Sequence, residues 1–125
     1  MTIETVRTIC RALPAVTEDI KWGADLAFSV GGKMFCVVNT DPPHQMSFKC
    51  TPEDFAELVE RDGLIPAPYL ARAMWVQQSA LADEVLDRRE VVRLLQSSYD
   101  LVVAKLPKSK RPGAAKTAKP RPRRR

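Results

Sequence analysis

From Lys108 to Arg125 the chain has no acidic residue and no large apolar residue. That absence excludes a packed helix or strand there, because nothing offsets the entropy of ordering the segment. Histidine occurs once, as His44, and the three cysteines, Cys10, Cys36 and Cys50, lie far apart. With no CxxC pair and no HxxxH spacing, a structural zinc site has no sequence basis. The glycines number five, and "VGGK" is too short for a phosphate-binding loop of GxxxxGK[ST] form. No run approaches the roughly 20 apolar residues of a membrane span. The opening "MTIETVRTICRALP" lacks a basic leader, and Glu4 and Arg7 interrupt its apolar residues, so no signal peptide is expected. Aromatic side chains make up only 6% of the chain. A small core must therefore be built largely from aliphatic residues.

What is present is an uneven distribution of charge. The formal net charge is +5, yet Lys108, Lys110, Arg111, Lys116, Lys119, Arg121, Arg123, Arg124 and Arg125 are nine cations in the last 18 residues. The first 107 residues hold 11 Lys and Arg against 15 Asp and Glu, so the body is net acidic. The basic pI of about 9.4 belongs to the tail. Basic tails find phosphate-rich partners. These numbers divide the chain into one domain, residues 1–107, and a disordered Lys/Arg/Pro tail, residues 108–125. Three odd, apolar-flanked cysteines suit buried free thiols in a reducing compartment, and the cytoplasm is the expected address.

Along the body the hydrophobic period changes from helix to strand. Thr2 caps an expected helix from Ile3 to Leu13, with Ile3, Val6, Ile9, Cys10 and Leu13 as its stripe; Pro14 ends it. The alternation Ile20, Trp22 and then Leu26, Phe28, Val30 predicts strands. Gly31-Gly32 predicts a two-residue hairpin turn into Met34–Val38, and "HQMSFKC" predicts another strand. Thr51-Pro52-Glu53-Asp54 is a helix start with cap, first-turn proline and dipole-matched acids. Pro66 and Pro68 break regular helix; a single turn over Tyr69–Ala73 and a short strand over Met74–Gln77 follow. A long helix is expected from Asp83 to Ala104, with Val85, Leu86, Val92, Leu95, Tyr99, Val102, Val103 and Leu106 as its apolar surface. The fold class is α/β of the α+β kind, an antiparallel sheet backed by helices.

The chemistry-bearing residues offer no catalytic set. His44 reads as a loop residue after Pro42-Pro43. The adjacent acids Glu18 and Asp19 read as a solvated turn, and each cysteine falls on a packing face where a thiol acts as a small hydrophobe. Neither an enzyme, nor a metal, nor a cofactor is expected. Lys21, Lys33 and Lys49 fall on three different strands, and Lys33 with Lys49 can share a solvated sheet face. Arg72 and the Arg88, Arg89, Arg93 group add further cations. Trp22, Tyr69 and Trp75 form a candidate pocket at element edges.

The ordered series Trp22-Gly23, Phe28, Gly32-Lys33-Met34-Phe35, Ser47-Phe48-Lys49, Pro66-Ala67-Pro68-Tyr69-Leu70, Trp75-Val76, Ser98-Tyr99 and Leu106-Pro107-Lys108 resembles the MmcQ/YjbR family of small bacterial proteins. Cys10-Arg11-Ala12-Leu13-Pro14 with Glu18 is similar to its first motif. The resemblance covers residues 3–111. It implies a CyaY-like, double-wing architecture and DNA as a partner, and it carries no catalytic residues. The expected function is weak, salt-dependent, phosphate-led and largely non-specific DNA binding, with the tail as main contact and Lys33 and Lys49 as domain contacts. The alternatives are a protein-interaction module, whose protein partner is unknown, or a small-ligand module, with the tail as a solubility or docking arm. No membrane partner is expected.

Overall fold

The computed structural model describes residues 1–112 apart from Tyr69. Helix α1 (Ile3–Arg11) is followed by strands β1 (Thr17–Lys21), β2 (Asp25–Val30), β3 (Lys33–Asn39) and β4 (Met46–Lys49). Helix α2 (Pro52–Leu58), β5 (Leu64–Pro66), β6 (Trp75–Gln78) and the long helix α3 (Arg88–Ala104) complete the order. The six strands form one antiparallel sheet in the order β1-β2-β3-β4-β6-β5. The α+β class, an antiparallel sheet with three helices, is as expected.

Local chemistry explains each start. Thr2 Oγ1 accepts from the Thr5 N–H at 3.3 Å and opens α1. Thr51 Oγ1 accepts from the Asp54 N–H at 3.1 Å and opens α2, with Pro52 in the first turn. Asp87 and Glu90 close a reciprocal capping box on α3. That box places the helix start at Arg88 rather than at Asp83. Val91, Leu94, Leu95, Ser98, Tyr99 and Val102 face inward; Leu95, Tyr99 and Val102 are as expected, as are the buried Leu86 and Leu106, while Val92 is 43% exposed.

All three helices contribute to one core on one face of the sheet. Leu26, Phe28 and Val30 of β2, Cys36 and Val38 of β3, Met46 and Phe48 of β4, and Val76 of β6 are buried beneath them. Between Phe28 and Ser29 the register of β2 against β3 shifts, so Phe35 and Cys36 are both buried on the core side. Phe35 meets the ring of Tyr99 edge-on, with centroids 5.5 Å apart. Each fully buried large side chain contributes about 2–3 kcal/mol. The opposite face, with Met34, Val37, Ser47 and Gln77, carries no helix.

The hairpin at Gly31-Gly32 forms as predicted, with φ of +58° and +82°. The two glycines are not equivalent. A Cβ at Gly31 would lie 2.6 Å from Leu106 Cδ1 and 3.1 Å from the Lys110 carbonyl oxygen, whereas Gly32 faces open space. Gly31→Ala is expected to destabilise by about 2–3 kcal/mol, from left-handed strain plus overpacking, and Gly32→Ala by only about 1 kcal/mol. Urea unfolding of the two variants side by side measures this difference.

Three expectations need correction. Trp22 does not continue a strand with Ile20; it sits in the β1–β2 turn with φ +51°. The last strand covers Trp75–Gln78, and an edge strand, β5, occupies Leu64–Pro66 where only an irregular segment was expected. Helix α1 ends at Arg11, two residues short of Leu13, because the chain turns into Pro14 and Ala15, whose φ is +61°.

Candidate functional site

Two strand ends and a helix end bring lysines together. Lys33 opens β3 directly after the hairpin, Lys49 closes β4, and Lys105 caps the C-terminus of α3. The three line one pocket of about 210 Å³ with Met34, Trp75, Val102 and Leu106. Trp75 pairs directly across from Lys49 and is only 6% exposed, so its indole belongs to the pocket's apolar wall. Lys33 and Lys49 thus meet in one pocket beside the end of α3 rather than on one open sheet face, because the β2–β3 register shift sets Lys33 opposite Val30 while Lys49 stands opposite Trp75. Lys105 was missed, although a lysine just past the last helical residue, followed by Leu106-Pro107-Lys108, was the signal that could have found it.

The position of Lys49 is fixed from behind. Its backbone N–H donates to Ser98 Oγ at 3.0 Å, and that hydroxyl donates to the Phe35 carbonyl at 2.6 Å. Partial burial, then the neighbouring charge of Lys105, lowers the pKa of the Lys49 ammonium. Among the described residues no lysine takes part in an ion pair; the ion pairs belong to arginines and the N-terminus. Like charges held together without an acid raise the local potential, which an anion relieves.

The basic end continues along the chain. Lys108 and Lys110 lie exposed in a 3₁₀ turn, Lys108–Lys110. Arg111 turns back on the end of α3, its Nε donating to the Leu106 carbonyl at 3.1 Å and an NH2 to the Ala104 carbonyl at 3.3 Å. Lys116, Lys119, Arg121, Arg123, Arg124 and Arg125 lie outside the described residues, as does Tyr69.

Acids dominate elsewhere. Glu53, Asp54, Glu57, Glu60 and Asp62 lie on and just after α2, and Asp83, Glu84, Asp87 and Glu90 surround the start of α3. Arg61 pairs with Glu90 at 2.6 Å, which holds that carboxyl below its usual range, and it also donates to the Val85 carbonyl. Arg93 pairs with Asp54 at 3.3 Å. Arg72, Arg88 and Arg89 are exposed and do not line the lysine pocket, and Lys21 lies on the edge strand β1.

A second concavity of about 410 Å³ crosses the helix-free sheet face, lined by Trp22, Asp25, Met34, Val37, Ser47, Ala67, Pro68, Leu70 and Gln77. Trp22 and Trp75 therefore do not share one pocket as expected; Met34 lies between them and lines both. They separate because Trp22 is in the turn and is 71% exposed, whereas Trp75 is built into β6.

His44 is a loop residue as read, its Nδ1 3.1 Å from the Asn39 carbonyl oxygen. Glu18 is not a free turn acid but pairs with Arg7 at 3.1 Å and Arg11 at 3.4 Å. Cys10, Cys36 and Cys50 are all buried. Contact with Cys10, then burial, pushes the Cys36 thiol well up, and burial pushes Cys50 up to about 11. Both thiols stay protonated at neutral pH. The raised Cys50 pKa gives stability that is full below about pH 9, the unfolded thiol range, and is lost as pH rises through about 11. Titration with an aromatic disulfide reagent at pH 8 is expected to label Cys50 at least about a hundredfold more slowly in the native protein than in urea.

A model of the YjbR family matches residues 11–101, and the chain belongs to that family. Among solved structures, the Deinococcus radiodurans protein DR2400, with a DUF419 domain, is 28% identical; the match covers 87% of this chain and 84% of that one, with a TM-score of 0.77. A Pseudomonas syringae protein shares the fold at 14% identity and a TM-score of 0.63, over 81% of this chain and 98% of its own. No protein of curated function matches the chain.

Proposed function

We propose that this protein is a non-enzymatic nucleic-acid-binding protein whose contacts are led by phosphates. One observation carries the reading: Lys33, Lys49 and Lys105 gather with Lys108, Lys110 and Arg111 at one end of an otherwise acidic domain, and among the described residues none of them has a carboxylate partner. That end is where the tail, with six more cations beyond Pro112, departs. The domain's basic end and the tail's cations are thus contiguous in the chain. Such charge binds by releasing condensed counterions and reads little sequence.

Anisotropy titration of a labelled random duplex tests this. Truncation after Pro112 is expected to weaken binding at least about tenfold, and combining it with Lys33→Glu, Lys49→Glu and Lys105→Glu to abolish it. An unchanged affinity after truncation makes the domain the main contact. Unchanged affinity in the combined variant, or no binding by the full chain, refutes the proposal.

A further inference from the structure

The basic pocket and the open sheet face meet at Met34, and they ask for different parts of one ligand. Cations at Lys33, Lys49 and Lys105 call for phosphate. The adjoining groove offers Trp22, Met34, Val37 and Leu70, an aromatic and apolar surface that phosphate cannot satisfy. A duplex keeps its bases stacked inside and presents a charged, convex backbone, leaving this groove empty. A single strand carries phosphates and unstacked bases together.

Trp22 is the second, independent observation. Trp22 is 71% exposed, the highest among the exposed large apolar residues, and its backbone is left-handed at φ +51°. A bulky side chain is disfavoured in that conformation, where Gly or Asn is the comfortable choice. Burial does not compensate here. Ala15, His44 and Met74 share the left-handed conformation, but Trp22 alone among them combines it with a large exposed aromatic ring, which points to a contact outside its own fold. Its distance from the lysines is suitable: β2 runs from the Trp22 turn to the Gly31-Gly32 hairpin, six residues or roughly 20 Å, the reach of a short run of nucleotides. The one acid lining the groove, Asp25, accepts from Asn39 Nδ2 at 3.0 Å.

We infer that the substrate class is single-stranded nucleic acid, with a base stacked on Trp22 and phosphates a few nucleotides along the strand at Lys33, Lys49 and Lys105. This rests on the nucleic-acid reading above and narrows it.

The test uses the full chain with labelled 12-nucleotide strands of thymidine and of uridine, and a duplex of equal length, at one salt concentration. The single strands are expected to bind about tenfold or more tightly than the duplex. Trp22→Ala lowers single-strand affinity roughly tenfold to a hundredfold, leaves duplex affinity within about twofold, and Trp22→Phe restores most of the loss. Thermal melts of both variants verify that they fold. Tighter binding of the uridine or of the thymidine strand tells RNA from DNA, and either one above duplex supports the inference. Duplex binding as tight as single-strand binding overturns it while leaving the broader reading standing; no binding of any strand overturns both. A Trp22-dependent dimer in sedimentation that no oligonucleotide dissociates also overturns it, since the groove then holds a second copy.

Discussion

Raising monovalent salt from about 50 to about 200 mM is expected to weaken the full chain's binding to duplex DNA about a thousandfold. The estimate follows from counterion release. If about six phosphates are neutralised, log affinity falls against log salt with a slope near −5 on a duplex, and a fourfold rise in salt then costs about three decades. On a single strand the same count gives a slope near −4 and a loss of a few hundredfold. The charges available are ample: nine cations in residues 108–125, and Lys33, Lys49 and Lys105 beside them. Anisotropy titrations at four salt concentrations give the slope. A slope shallower than about −2 would mean that few phosphates are engaged and that the tail's charge is idle. Truncation after Pro112 should move the slope toward zero by roughly the number of cations lost from contact.

Replacing Ser98 with alanine is expected to destabilise the domain by about 3 kcal/mol, lowering the melting temperature by roughly 10–20 °C. Ser98 is 0% exposed, and its hydroxyl joins two backbone groups: it donates to the Phe35 carbonyl and accepts from the Lys49 N–H. Both lie where the sheet needs help. Phe35 is the extra residue at the β2–β3 irregularity, and Lys49 is the last residue of β4. Alanine would strand a buried acceptor and a buried donor at once, at about 1–3 kcal/mol each. Urea unfolding monitored by far-UV circular dichroism checks this. A loss below about 1 kcal/mol would mean that water replaces the hydroxyl.

Elements with self-contained local signals were legible in the sequence. The Thr51-Pro52 start of α2, the Gly31-Gly32 hairpin and the Thr2 cap are each decided by a few neighbouring residues. Strand β5 was not legible. Its three residues include Pro66, and it exists because β6 supplies partners for Leu64, Ile65 and Pro66. The start of α3 is placed too early by the sequence because Val85 and Leu86 look like helix-face residues. They pack in the preceding turn, and the Asp87–Glu90 box sets the true start. The site divided in the same way. Lys33 and Lys49 were legible as lysines at strand ends, but the β2–β3 register shift, invisible in the sequence, decides how they meet. Lys105 required knowing that α3 runs along β3 and β4 so that its end meets theirs, which is tertiary information. Trp22 looked like strand because its spacing from Ile20 fits period two. Only the turn geometry shows a ring standing outside the packed layers.

Acids gather about α2 and the start of α3, while the lysines without ion pairs lie at the far end of α3, so charge is distributed unevenly along that helix. Ahead of contact, the field of a polyanion exerts a torque on such a body, repelling one pole while drawing in the other. Arrivals in a wrong orientation are turned rather than rejected, so the productive fraction of encounters rises without any change in the bound state. That gain resides in the association rate and fades once the Debye length, about 10 Å at 0.1 M salt, falls below the domain's own dimensions. Neutralising exposed acids on α2, such as Glu53 or Glu57, would then slow approach relative to its own added attraction. Under the proposed function, the acidic pole acts as a rudder.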